Sequence, residues 1–219
     1  MATIATTPDR GARSGVIVGA SFLSGLIGAM ARSDYPYPRP GASPAQIQQY
    51  FGQPSRAPRI SVAGQATSAL ALLRFTGTVA KLAGRAGRGS RALQAAAVAG
   101  GGIAAASLAT SAACSAALTA QPGEDASTAV TLVRRGFVAG GPVHGVGFGL
   151  LVGALSLAGL RTNTLPRPVA YTGLASTVAG FLSPLYFIFE PAGWLIPLGR
   201  FPGLIVSGIA GVLLSRRPS

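Results

Sequence analysis

VAGGPVHGVGFGLLVGALSLAGL, residues 138–160, carries no Asp, Glu, Lys or Arg and sets Gly141, Gly145, Gly149 and Gly153 at strict four-residue spacing. A run of this length and polarity matches the roughly 20 apolar residues a helix needs to cross a bilayer. Glycines at i, i+4 fall on one side of such a helix and leave it bare. In lipid, where water exclusion does not drive helices together, a bare side lets a neighbour approach to backbone contact. The stretch therefore predicts a tightly packed membrane helix. Gly203, Ser207 and Gly211 repeat the spacing nearer the C-terminus and predict its mate. The same bare faces also offer a seam for a homo-oligomer.

The rest of the 219 residues has the same character: 49% are hydrophobic and 11% charged, against about one quarter charged in an ordinary soluble domain. Apolar runs at 15–31, 60–80 and 93–118 precede the quoted stretch, and runs at 168–189 and 195–214 follow it. The expectation is an all-α, polytopic membrane helix bundle of six transmembrane helices. It forms one domain over 15–217, with a tail at 1–14 and a short end at 218–219. The first run also has the form of a signal-peptide core, with Ala29 and Ala31 satisfying a cleavage site; it is read here as a retained span. So much apolar sequence excludes disorder, and a lone Cys114 excludes an internal disulfide.

The longest polar connection, 32–59, opens with Pro36, Pro38 and Pro40, which favour an extended path. Ser43, Pro44 and Gln46 then spell a capping box with Pro at the first helical position, predicting a short helix over 44–51. Ile47, Tyr50 and Phe51 share one face of it. That face can rest on lipid headgroups or on the ends of the spans. Together with Tyr35 and Tyr37 they are read as exposed anchors for a membrane-protein partner.

The net charge of +13 comes from 17 Arg, Lys81 and five acids. The cations sit in small groups between apolar runs, where orientation in the bilayer accounts for them and nucleic-acid binding is not implied. One side collects Arg10, Arg13, Lys81, Arg85, Arg88, Arg91, Arg161, Arg167, Arg216 and Arg217, ten in all. The other collects Arg32, Arg39, Arg56, Arg59, Arg134, Arg135 and Arg200, seven. A plasma-membrane protein with both termini cytoplasmic follows from that bias. Arg74 lies inside the second run, about 9 Å of helix rise from its cytoplasmic end, and is placed to snorkel to the headgroups.

The segments GASPAQIQQYF at 41–51, FTGTVAKLAGRAG at 75–87, GGP at 140–142, LPRPVAYTGLAS at 165–176 and LLSRR at 213–217 together resemble a broad group of uncharacterised six-span actinobacterial integral membrane proteins. The resemblance covers most of the chain and implies a topology; it implies no activity. Arg74 departs from the pattern, which has an apolar residue there.

Six-span topology brings His144, Glu190, Arg134, Arg135, Arg200 and Tyr186 toward one end, with Trp194 beside them. Ionisable groups at membrane depth mark functional sites by default, and a histidine beside a carboxylate forms a proton-sensitive pair. The same residues also serve as span ends and interfacial anchors. No nucleophile triad, phosphate loop or metal-ligand spacing is present, and one histidine cannot ligate haem from both sides; neither catalytic residues, metal nor cofactor is assigned. The sequence thus reads as a non-enzymatic structural or accessory component of a membrane complex. The alternative is a small proton-coupled or small-molecule transporter built on His144 and Glu190.

Overall fold

Small residues decide how these helices meet. The computed structural model describes residues 11–52, 56–121 and 125–216; Arg10, Glu124, Arg217 and the 218–219 end lie outside them. Among the described residues the fold is all-helical. The elements are α1 (Ser14–Met30), α2 (Pro44–Phe51), α3 (Ala57–Gly84), α4 (Ser90–Ala120), α5 (Ala126–Val138), α6 (His144–Arg161), α7 (Arg167–Leu182) and α8 (Leu195–Ser215). A π turn, Ala139–Val143, joins α5 to α6, and 3-10 turns at Ser183–Phe187 and Glu190–Trp194 lead from α7 into α8. Pro142 inside the π turn has no N–H to give the preceding turn, so the helix widens there instead of closing normally.

Three helical segments, Ser90–Ala120, Ala126–Arg161 and Glu190–Ser215, are long and apolar enough to cross a membrane. The remaining helices fall short for identifiable reasons. α1 and α7 have 17 and 16 residues, and α3 is interrupted by Gln65 and Arg74.

α1, α3, α4, α6, α7 and α8 pack in that order, and α8 returns against α1, closing a ring. α6 also touches α3 and α8 and sits at the centre. Of the apolar window in Ala126–Arg161, 72% is buried, against 39% in the other two long segments. α6 can be central because glycine leaves it bare on two sides. On one side a Cβ at Gly147 would stand 2.7 Å from the Ala104 backbone nitrogen of α4. On the other, Gly149 approaches the Thr177 carbonyl and Gly180 of α7, and Gly145 approaches Ser183.

This corrects the expected pairing of two small-residue rows. Gly145, Gly149 and Gly153 mate with Thr177, Gly180 and Ser183, because α7 brings its own bare position and lies between that face and α8. Gly141 stands near Ile196 and Phe137. Gly203 receives the Phe148 ring and the Ser176 hydroxyl, while Gly211 lies against Ala12 and Val16 of the N-terminal segment, and the Ser207 carbonyl against Gly15. Small hydroxyls tie the same contacts. Ser68 donates to the Val18 carbonyl at 3.0 Å, Thr177 to Gly149 at 3.0 Å, and Ser176 to Gly199.

α2 is capped as its residues require. The Ser43 side chain accepts from Gln46 N–H and the Gln46 side chain accepts from Ser43 N–H. Its apolar face turns inward, which corrects the reading of Ile47, Tyr50 and Phe51 as exposed anchors: they are 2%, 3% and 4% exposed. They form a second small core with Leu118 of α4 and Val133 of α5. The physical reason is length. α4 and the α5–α6 segment, at 31 and 36 residues, run to roughly 46 and 54 Å, so their ends protrude and present an apolar floor for α2.

Candidate functional site

The charged and aromatic residues that the sequence gathers at one end divide into two groups in the structure, one inside the bundle and one at the α2 end.

The inner group surrounds the π turn. His144 is 2% exposed. Its Nδ1–H donates to the Ala104 carbonyl at 3.0 Å, and its ring stacks on Phe148 with centroids 5.5 Å apart. Because α5 extends the helix beyond the apolar run, His144 lies level with Ala104 near the middle of α4, not near the bundle's end. Arg200 reaches from α8 to the π turn, where its guanidinium donates to the Gly140 carbonyl and its charge lies 5.0 Å from the Phe22 ring centroid. Its Nε is buried without a hydrogen-bond partner. A carbonyl and a ring face thus stand where a carboxylate would be expected.

The outer group lines a cavity of about 600 Å³ formed by Arg39, Phe137, Tyr186, Glu190, Trp194 and Ile196 with nearby prolines and Gly193. The Phe137 and Tyr186 rings are tilted against each other at 5.1 Å. The 190–194 turn lies close on Tyr186, because Gly193 has no side chain to hold it away. Glu190 and Trp194 are exposed.

Glu190 and His144 therefore do not form a pair: one stands at the surface and the other is buried against α4. Arg134 and Arg135 are exposed on α5 and take no part in either group. Tyr35 and Tyr37 remain partly exposed, but the Tyr37 hydroxyl is hydrogen-bonded to Ser115 at 3.1 Å and its ring stands edge-on to Tyr50 and Phe51. Burial raises the Tyr37 pKa above the ordinary tyrosine value. Arg39, Phe137 and Ile196 are the members that sequence reasoning missed. Arg39 arrives from a loop remote in sequence from Glu190, and Phe137 reads as one more apolar residue of a span. Among the described residues no three His, Cys, Asp or Glu side chains come together as a metal site would need.

No family model, curated protein or solved structure matches the chain.

Proposed function

We propose that the chain is a plasma-membrane protein of six spans, α1, α3, α4, α5–α6, α7 and α8, with both termini cytoplasmic, acting without catalysis as an accessory component of a membrane complex. Large apolar side chains face outward all around the ring, among them Ile17, Leu70, Val98, Val178 and Ile205, as lipid contact requires and water does not. Short α1 and α7 fit a thinner local bilayer or lie near the normal. The cation bias orients the whole.

The observation that carries the accessory role is an unfilled apolar groove of about 510 Å³ between α3 and α4, lined by Val62, Ala66, Leu70, Leu73, Ala105 and Ala109 among others. Its alanines let another helix come close. Arg74 stands exposed one turn from Leu70 on the same face. A partner's carboxylate would meet that cation in place of the headgroups to which it otherwise snorkels, and none of this sequence's five acids lies within α1, α3, α4, α5–α6, α7 or α8, so a second copy brings none. The occupant that fits is a partner's transmembrane helix carrying a carboxylate. Of the hydroxyls that a transport path would use, Ser176 is bonded to Gly199 and Thr177 to Gly149 of neighbouring helices, while those of Ser156 and Ser207 are buried without a partner.

A photo-crosslinking side chain at Ala109 in the full chain, activated in native membranes, tests this. One protein adduct that is strongly reduced by Arg74→Gln supports the reading. Adducts to lipid alone, unchanged by that substitution, overturn it.

A further inference from the structure

The cavity at the α2 end holds two opposite charges that do not neutralise each other. Arg39 comes from the proline-rich loop and Glu190 from the turn before α8, and both line the same space. Both residues are exposed, and neither side chain has a hydrogen bond or ion pair among the described residues. The remaining wall is aromatic and apolar: Phe137, Tyr186, Trp194 and Ile196. Its volume of about 600 Å³ falls within the ordinary range of small-ligand sites.

The charge pattern selects the ligand. An anion alone meets Glu190, and a cation alone meets Arg39, each a repulsion at close range. A molecule with a phosphate and an ammonium group separated by a short linker satisfies both. Arginine takes a phosphate through paired N–H donors, while a carboxylate beside aromatic ring faces suits an ammonium. The cavity opens beside a turn whose apolar side chains are turned outward, with Ile188 87% and Trp194 76% exposed. Such a turn sits naturally at the membrane interface, where headgroups of this chemistry lie. We propose that this cavity binds a zwitterionic phospho-ammonium headgroup, with Arg39 on the phosphate and Glu190, Tyr186 and Trp194 around the ammonium. The inference rests on the membrane placement proposed above and is independent of the accessory role.

Trp194 is the only tryptophan in the chain and lines this cavity, so its emission reports a ligand that enters there. The full chain is incorporated into nanodiscs of a neutral glycolipid with a tryptophan-free scaffold and titrated with short-chain phosphatidylethanolamine, short-chain phosphatidylglycerol and free phosphoethanolamine. A saturable change with phosphatidylethanolamine and none with phosphatidylglycerol is the expected result. Arg39→Ala and Glu190→Gln should each weaken it about tenfold or more, and Glu190→Gln should in addition admit the anionic lipid. Arg167→Ala, at the far end of α7, should change nothing. Because the Arg39 and Glu190 side chains make no hydrogen bond or ion pair among the described residues, both variants should keep the parent's unfolding temperature, which separates lost binding from lost folding. A response to free phosphoethanolamine equal to that of the lipid assigns the headgroup chemistry to a soluble source, and a response to the lipid alone assigns it to the bilayer. Equal responses to both lipids in the parent chain, or unchanged affinity in both charge variants, overturn the proposal. Stable nanodisc incorporation in that event leaves the membrane placement standing.

Discussion

At Gly100 an added Cβ would stand 2.7 Å from both the Gly147 carbonyl oxygen and the Leu151 nitrogen. Neither atom can yield, because both belong to the backbone of the central helix. Gly100→Ala should therefore force α4 from α6 and destabilise the protein by about 1–3 kcal/mol, the usual cost of overpacking. Gly208 has open space around it. There the same substitution should be neutral or stabilising by up to about 1 kcal/mol, through the helix preference of alanine. Unfolding of both variants in one detergent checks the pair, and equal effects would contradict the close-approach account. The bare side of Gly145, Gly149 and Gly153 was legible because their spacing is regular, whereas Gly141, the fourth member of that spacing, falls in the π turn against Ile196 and Phe137. The mate of that bare side was not legible, since spacing shows which side of a helix is bare and never which neighbour covers it. Gly147 lies off that spacing, so the second bare side of α6 gave no periodic signal.

Among the elements, α2 shows how far local sequence reaches. Ser43, Pro44 and Gln46 specify where it starts, and Gly52 where it ends, through chemistry contained within the segment. Which way it faces depends on Leu118 and Val133, carried by helices whose protruding lengths are a tertiary fact. The π turn was illegible for a similar reason: Pro142 marks the place, but Arg200 on the Gly140 carbonyl requires α8 to be alongside. The docking of α2 should depend on pH through Tyr50. Burial, with the nearby Tyr37 adding to it, pushes the Tyr50 pKa up to about 12 from 10.0. The folded form thus favours the neutral phenol, and the associated stability is complete below pH 10 and lost as pH rises through 12. Amide exchange in α2 should accelerate across that window in the parent chain and less so in Tyr50→Phe, which has no proton to lose. Identical profiles for the two would contradict the assignment.

For the molecule as a whole, composition made legible an all-helical fold with helices long and apolar enough to cross a membrane, because so apolar a sequence leaves large apolar side chains facing outward. Arg39 and Glu190 came to line one cavity only when the proline-rich segment before α2 folded against the 190–194 turn, and no pattern in either segment announces it. The proposed topology places α2 and its cavity outside the cell and the 85–89 turn inside. In a Cys114→Ser background, single cysteines at Gln48→Cys and Arg88→Cys can be probed with a membrane-impermeant maleimide, first on intact and then on permeabilised cells. Both positions are exposed in the fold, so access is decided by the membrane. The account predicts that residue 48 is labelled on intact cells and residue 88 only after permeabilisation. The reverse order, or labelling of both on intact cells, would contradict it.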